Sequence, residues 1–189
     1  MPAARESLLD AAFATLERRP WRRVKMSEVA AAAGVSRQTL YNEFGSKEGL
    51  ARALVRREAD AYLRGVERAL SGVSGAAAPR ERLAAAAVWT VRSAAENPLV
   101  RAVLTGCWTE RLPTSVRTAL PEEPEPLPAP GELIGEARDR AVRLLAGDWP
   151  PGAVELPLAC EAVARLALSY VVAPAPAADV ARMVRTVLA

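Results

Sequence analysis

Apolar side chains recur along this chain at intervals of three and four, the spacing of one helical face, and strict alternation of the strand type is absent. From Arg5 to Arg18 the positions Leu8, Leu9, Ala12, Phe13 and Leu16 follow that rule, and Pro20 closes the run. A short helix is expected from Met26 to Ala33, stopped by Gly34, a residue able to take positive φ just past a helix end. Ser36 is a good N-cap for the next segment, Arg37 to Phe44. Gly45 ends that one, and Ser46 caps a longer helix from Lys47 to about Leu70. Further helices are expected over Arg80–Glu96, Leu99 to about Gly106, Glu132–Leu145, Glu155–Val172 and Asp179–Leu188.

The punctuation between these runs divides the chain. Ser71 to Pro79 reads as a linker, and Pro121 to Pro130, with five prolines and three glutamates, reads as a solvated loop. The expected fold is all-α, with about nine to ten helices. A three-helix head with a helix-turn-helix occupies residues 1–50, and a helical body occupies 51–189, the helix from 47 to about 70 linking them.

Charge sharpens this division. Residues 1–57 hold eleven Lys/Arg against six Asp/Glu, a balance of +5; residues 58–189 hold fourteen against sixteen, a balance of −2. Positive charge gathered in the N-terminal third is what a phosphate-facing head requires. The two cysteines, Cys107 and Cys160, are far apart and have no CxxC spacing, so neither a zinc cluster nor a redox motif is expected. They read as reduced thiols of a cytoplasmic protein. The N-terminus enters an amphipathic pattern at once, without the look of a secretory leader. The most apolar stretch, Leu156 to Val172, is interrupted by Pro157, Glu161 and Arg165 and suits a buried or interfacial helix. The chain has no histidine, no glycine-rich phosphate loop and no nucleophile elbow, so neither an enzyme nor a bound cofactor or metal is expected.

The chemistry is concentrated between Val29 and Leu50. Val29, Val35, Leu40, Phe44 and Leu50 are the apolar points that lock three small helices together. Ser36, Arg37, Gln38, Thr39, Tyr41 and Asn42 are left at the N-terminal end and outer face of the second helix, the part that such a helix offers to the major groove. Gln38 and Asn42 stand at i, i+4, and either can pair bidentately with adenine. Arg37 can read guanine or bind phosphate, Thr39 and the Tyr41 hydroxyl suit phosphate oxygens, and Lys47 adds charge at the start of the next helix. Spacing alone also allows a merely solvated helix face.

The stretch Ala30 to Leu50, with Gly34-Val35-Ser36, Leu40-Tyr41, Phe44 and Ser46-Lys47-Glu48, resembles the DNA-binding signature of the TetR/AcrR family of bacterial regulators. Helix Arg5–Arg18, Val24 and Val29 fit the same pattern, which covers roughly residues 5–57. The wording from Ser36 to Leu50 also resembles an actinobacterial, AlkX-like branch that responds to fatty acids or alkanes. Two positions depart from the family. Lys25 stands where a Thr or Ser usually caps the second helix and touches phosphate, leaving Ser27 as a partial substitute. Asn42-Glu43 stands where a histidine is common, with Glu43 expected to face away from DNA, within reach of Lys47.

The resemblance implies a homodimer on a palindromic double-stranded DNA operator, most often as a repressor released by a small effector. The dimer would pair the helices Glu132–Leu145 and Glu155–Val172, through Leu156, Ala159, Val163, Leu166 and Tyr170. The effector would lie among the middle helices, where Val88, Trp89, Val91, Arg92, Val103, Leu104, Cys107, Trp108 and Leu112 are the local candidates. These are mostly apolar, with Arg92 and Arg101 as carboxylate partners, so a fatty-acid-like effector and no membrane partner are expected. A helical lipid carrier without specific DNA binding is the alternative.

Overall fold

The computed structural model describes residues 2–72, 77–113, 127 and 129–188. Every regular element among them is helical: α1 (Pro2–Arg18), a 3-10 turn (Trp21–Arg23), α2 (Met26–Ala32), α3 (Arg37–Phe44), α4 (Lys47–Ser71), α5 (Pro79–Glu96), α6 (Pro98–Thr105), α7 (Pro130–Leu145), α8 (Leu156–Val172) and α9 (Ala177–Val187). The all-α expectation holds, and each expected helix is present within a few residues of its expected ends. The 3-10 turn is the addition. Residues 73–76 of the expected linker, and 121–126 and 128 of the proline-rich stretch, lie outside the described residues.

The chain forms two compact units. The first comprises Met1–Glu58 and the described part of Trp108–Leu127; the second comprises Ala59–Cys107 with the described part of Pro128–Ala189. In the first, Leu8, Leu9 and Ala12 of α1, Val29 of α2, Leu40 of α3 and Leu50 and Leu54 of α4 are all at most 2% exposed. Their spacing puts one apolar stripe from each helix onto a shared core. Val35 and Phe44, expected to lock the same helices, are half-buried at its edge. The second unit contains the remainder of α4 and α5 to α9, with α5 packed against α6, α8 and α9, and α7 against α6 and α8. Alanine lets these helices approach closely: Ala84, Ala87, Ala94, Ala137, Ala141, Ala159 and Ala167 are all buried.

One buried cation ties helix ends together in the second unit. Arg82, in the first turns of α5 and 8% exposed, donates from Nε to the Leu70 carbonyl at 2.7 Å and from Nη2 to the Leu144 carbonyl at 2.9 Å. These carbonyls belong to the last turns of α4 and α7, where no intrahelical donor remains and the helix dipole is negative. Its Nη1 meets Asp148 Oδ2 at 2.7 Å.

Candidate nucleic-acid interface

The turn between α2 and α3 is built entirely from backbone and cap chemistry. The Gly34 N–H donates to the Ala31 carbonyl at 3.1 Å and the Val35 N–H to the Ala30 carbonyl at 3.0 Å. That pair of bonds is a Schellman closure, which demands a left-handed residue; Gly34 supplies it at φ 67°. Ser36 Oγ then accepts the Thr39 N–H at 3.0 Å and lies 2.8 Å from Thr39 Oγ1. At the other end of α3, the Gly45 N–H donates to the Tyr41 carbonyl at 2.8 Å, and Ser46 Oγ accepts the Gly49 N–H at 3.0 Å to start α4. Gly49 is required by proximity. A Cβ there would overlap the carbonyl oxygen of Phe44, with the carbonyl carbon 3.1 Å away.

So held, α3 buries Leu40 and leaves Arg37, Gln38, Tyr41 and Asn42 exposed on one surface. Gln38 Nε2 donates to Asn42 Oδ1 at 2.7 Å, so the two amides form a single unit with the Gln38 oxygen and the Asn42 amide hydrogens still free. Ser36 is exposed, though its hydroxyl is engaged in the cap, and Thr39 is half-buried. Lys25 is the N-cap residue of α2 and makes no side-chain cap bond; Ser27, considered as a substitute, is half-buried in the first turn.

One expectation about this region is corrected, and Lys47 has backbone partners that the sequence did not show. Glu43 pairs with Arg5 at 2.8 Å rather than with Lys47, and the same guanidinium lies 4.9 Å from the Phe44 ring centroid. Lys47 is half-buried. Its ammonium donates to the Val24 carbonyl at 2.7 Å and the Arg22 carbonyl at 3.3 Å, and stands 5.8 Å from the Trp21 ring centroid. Burial lowers its pKa below the ordinary lysine value, with the Glu48 carboxylate opposing.

The residues named for an effector are divided between the units. Val88, Trp89 and Arg92 lie on α5, Val103 and Leu104 on α6, and Cys107 at the end of that segment, all in the second unit; Trp108 and Leu112 lie in the first. Val103 and Leu104 are buried core, while Arg92, Arg101 and Cys107 are exposed. A small, partly open cleft of the second unit has other walls: Tyr62 and Val66 of α4, Ala87 and Thr90 of α5, Arg138 of α7 and Cys160 of α8 line about 30 Å³ of space. Tyr62 Oη lies 3.2 Å from Thr90 Oγ1. Burial raises the pKa of Tyr62, opposed by the Thr90 bond, and pushes the Cys160 thiol up to about 11, opposed by Arg138. Both are therefore neutral near pH 7. The Arg138 guanidinium is balanced by Asp139 at 2.8 Å and Glu161 at 3.4 Å. A larger open groove, about 320 Å³, lies elsewhere in the unit between Pro79, Trp149, Val154 and Leu188. The sequence signal for the cleft was the run of small residues on α5, α7 and α8, which reads equally as ordinary close packing.

Of the residues named for a dimer, Ala159 and Val163 are 1% and 4% exposed within a single protomer, because α8 turns them toward its own core. Leu156, Leu166 and Tyr170 are half-buried. The apolar atoms α8 leaves outside are those of Leu158 and Val172, and α9 leaves Met183 and Val187. Helix α7, expected as the bundle partner, turns Leu133, Ile134, Ala137, Ala141 and Leu145 inward and leaves Leu144 outside. Among the described residues, no helix is long and apolar enough to cross a membrane.

Comparison with known proteins agrees with this arrangement. Residues 8–54 match the model of bacterial regulatory proteins of the tetR family, and residues 79–189 match that of the bacterial tetracyclin repressor C-terminal domain. The HTH-type transcriptional regulator AlkX of Mycobacterium tuberculosis is 34% identical over 95% of this chain and 82% of its own. The crystal structure of the TetR family repressor AlkX from Dietzia sp., implicated in biodegradation of n-alkanes, superposes with a TM-score of 0.60 at 27% identity, covering 96% of this chain and 93% of that one. FadR from Bacillus subtilis, solved with stearoyl-CoA, shares the fold, with a TM-score of 0.58 at 17% identity over 97% of this chain and 96% of that one.

Proposed function

The chain belongs to the TetR family of bacterial regulatory proteins, and from that premise we propose that it is a cytoplasmic repressor, binding a palindromic operator as a homodimer and released by a slender apolar effector. The observation that carries the DNA part is the capped α3 with Arg37, Gln38, Tyr41 and Asn42 all exposed beside a buried Leu40. In the major groove, Arg37, Gln38 and Asn42 read base edges, while Ser36, Thr39, Tyr41 and Lys25 hold phosphates and set register. The dimer joins α8 and α9 to their twofold mates through Leu158, Val172, Met183 and Val187, whose exposure in one protomer supports that choice, four such side chains against Leu144 alone on α7.

For the effector, the alanine-rich cleft around Tyr62, Thr90 and Cys160 would take an unbranched hydrocarbon chain once its helices part, since its present volume is only about 30 Å³. The alkane link of one relative and the acyl-CoA of another point the same way. Occupancy of the cleft would favour a conformation in which the two heads no longer span both half-sites, a coupling of about 1–3 kcal/mol.

Selection of bound duplexes from a random pool tests the reading. The expected product is an inverted repeat with half-site centres about 34–36 Å apart; a pool that fails to enrich defeats it. On the recovered operator, Gln38→Ala and Asn42→Ala should each cost about 1–3 kcal/mol at particular base pairs. Because the two amides hold each other, the double variant should cost less than the sum. Tyr41→Phe should weaken all sequences alike. Binding curves against single-base operator variants measure all three.

A further inference from the structure

The sequence from Trp21 to Met26 alternates between pinned and free positions in a way the fold does not need. Trp21, Val24 and Met26 are buried, and Arg22, Arg23 and Lys25 are exposed. The 3-10 turn carrying the arginines is held from several sides: the Trp21 N–H donates to the Arg111 carbonyl at 2.8 Å, the Arg23 N–H to the Pro20 carbonyl at 2.9 Å, and Lys47 grips the carbonyls of Arg22 and Val24. Neither Arg22 nor Arg23 has an ion pair among the described residues, whereas nearby Arg19 is paired with Glu28 at 2.8 Å. Three cations within four residues, none with an ion pair among the described residues, repel one another in the isolated head.

Position decides what they face. Lys47 is the third residue after the end of α3, and its ammonium lies within hydrogen-bond distance of the turn, so the arginines border the α3–α4 junction. We infer that Arg22 and Arg23 form a second, sequence-blind surface for nucleic-acid phosphates, flanking the groove-facing helix, and that Lys47 positions that surface through its two carbonyl bonds. The surface compensates for the missing hydroxyl cap at Lys25. Its partner is the sugar-phosphate backbone of the duplex that α3 reads, so the inference rests on the regulator reading.

Each phosphate contact releases counterions and adds about 0.9 to the slope of log affinity against log salt. The test uses the full chain, the selected palindrome and a mixed-sequence duplex of equal length, with salt varied from about 50 to about 200 mM. Arg22→Gln/Arg23→Gln should make the slope shallower by about 1.8 per protomer on both duplexes and leave the ratio of specific to mixed-sequence affinity unchanged. The control Arg64→Gln/Arg143→Gln, which removes equal charge from exposed positions of the second unit, should keep the parental slope. An unaltered slope in the head variant, or an equal change in the control, overturns the inference. So does a loss confined to particular base pairs, since the arginines would then be reading sequence. If the parent protein binds neither duplex, the regulator reading itself falls, and this surface with it.

Discussion

Alanine at position 49 is expected to destabilise the protein by about 2 kcal/mol, although the same replacement in a helix usually helps. The usual gain is about 1 kcal/mol, because glycine has more backbone freedom to lose. Here the new methyl would overlap the Phe44 carbonyl, which is backbone at the C-terminal end of α3 and cannot swing aside as a side chain could. Overpacking of this kind costs about 1–3 kcal/mol, and more where neighbours cannot yield. Relief requires the first turn of α4 to move away from α3, so DNA affinity should fall as well. Gly135 is the matched control: it lies inside α7 and nothing comes within 4 Å of its added Cβ. Gly135→Ala should stabilise by about 0.5–1 kcal/mol. Urea denaturation followed by circular dichroism compares the pair; equal effects at the two sites would refute the steric account.

Arg82→Met should cost about 2–4 kcal/mol, the larger loss of the two. Methionine keeps the apolar stem but strands the Leu70 and Leu144 carbonyls, each losing a bond to a charged donor worth about 1.5–3 kcal/mol. Partial entry of water lowers that sum. The Asp148 contact adds little, since that carboxylate is 61% exposed. Lysine should restore only a minor part, because one ammonium cannot reproduce the guanidinium fork across three acceptors. Thermal melts of the parent, Arg82→Lys and Arg82→Met proteins should rank in that order. Indistinguishable melts would show the clamp to be energetically idle.

Local punctuation made most of the fold legible. Gly34, Ser36, Gly45, Ser46 and Pro79 each stop or start a helix by chemistry that acts over at most a few residues, and the structure uses them that way. The 3-10 turn escaped because three residues are too few to show a period. The carbonyl partners of Lys47 lie more than twenty residues earlier, a distance at which pattern says nothing. Helix α8 is apolar nearly all round, so its sequence named a buried or interfacial helix without saying which side meets its own core. Ala159 and Val163 went inward, and Leu158 and Val172 outward. The placement of Trp108 and Leu112 with the first unit is a tertiary outcome of the same kind.

The narrowness of the cleft between α4, α5, α7 and α8 has a kinetic corollary. Some 30 Å³ accommodates little more than a single water molecule, so the hydrocarbon effector proposed above would enter only when the surrounding helices part. Uptake would then follow the frequency of helix separation instead of the frequency of collision, and its rate would level off as guest becomes abundant. Under that proposal, a regulator of this kind would integrate slow changes in supply and ignore brief ones.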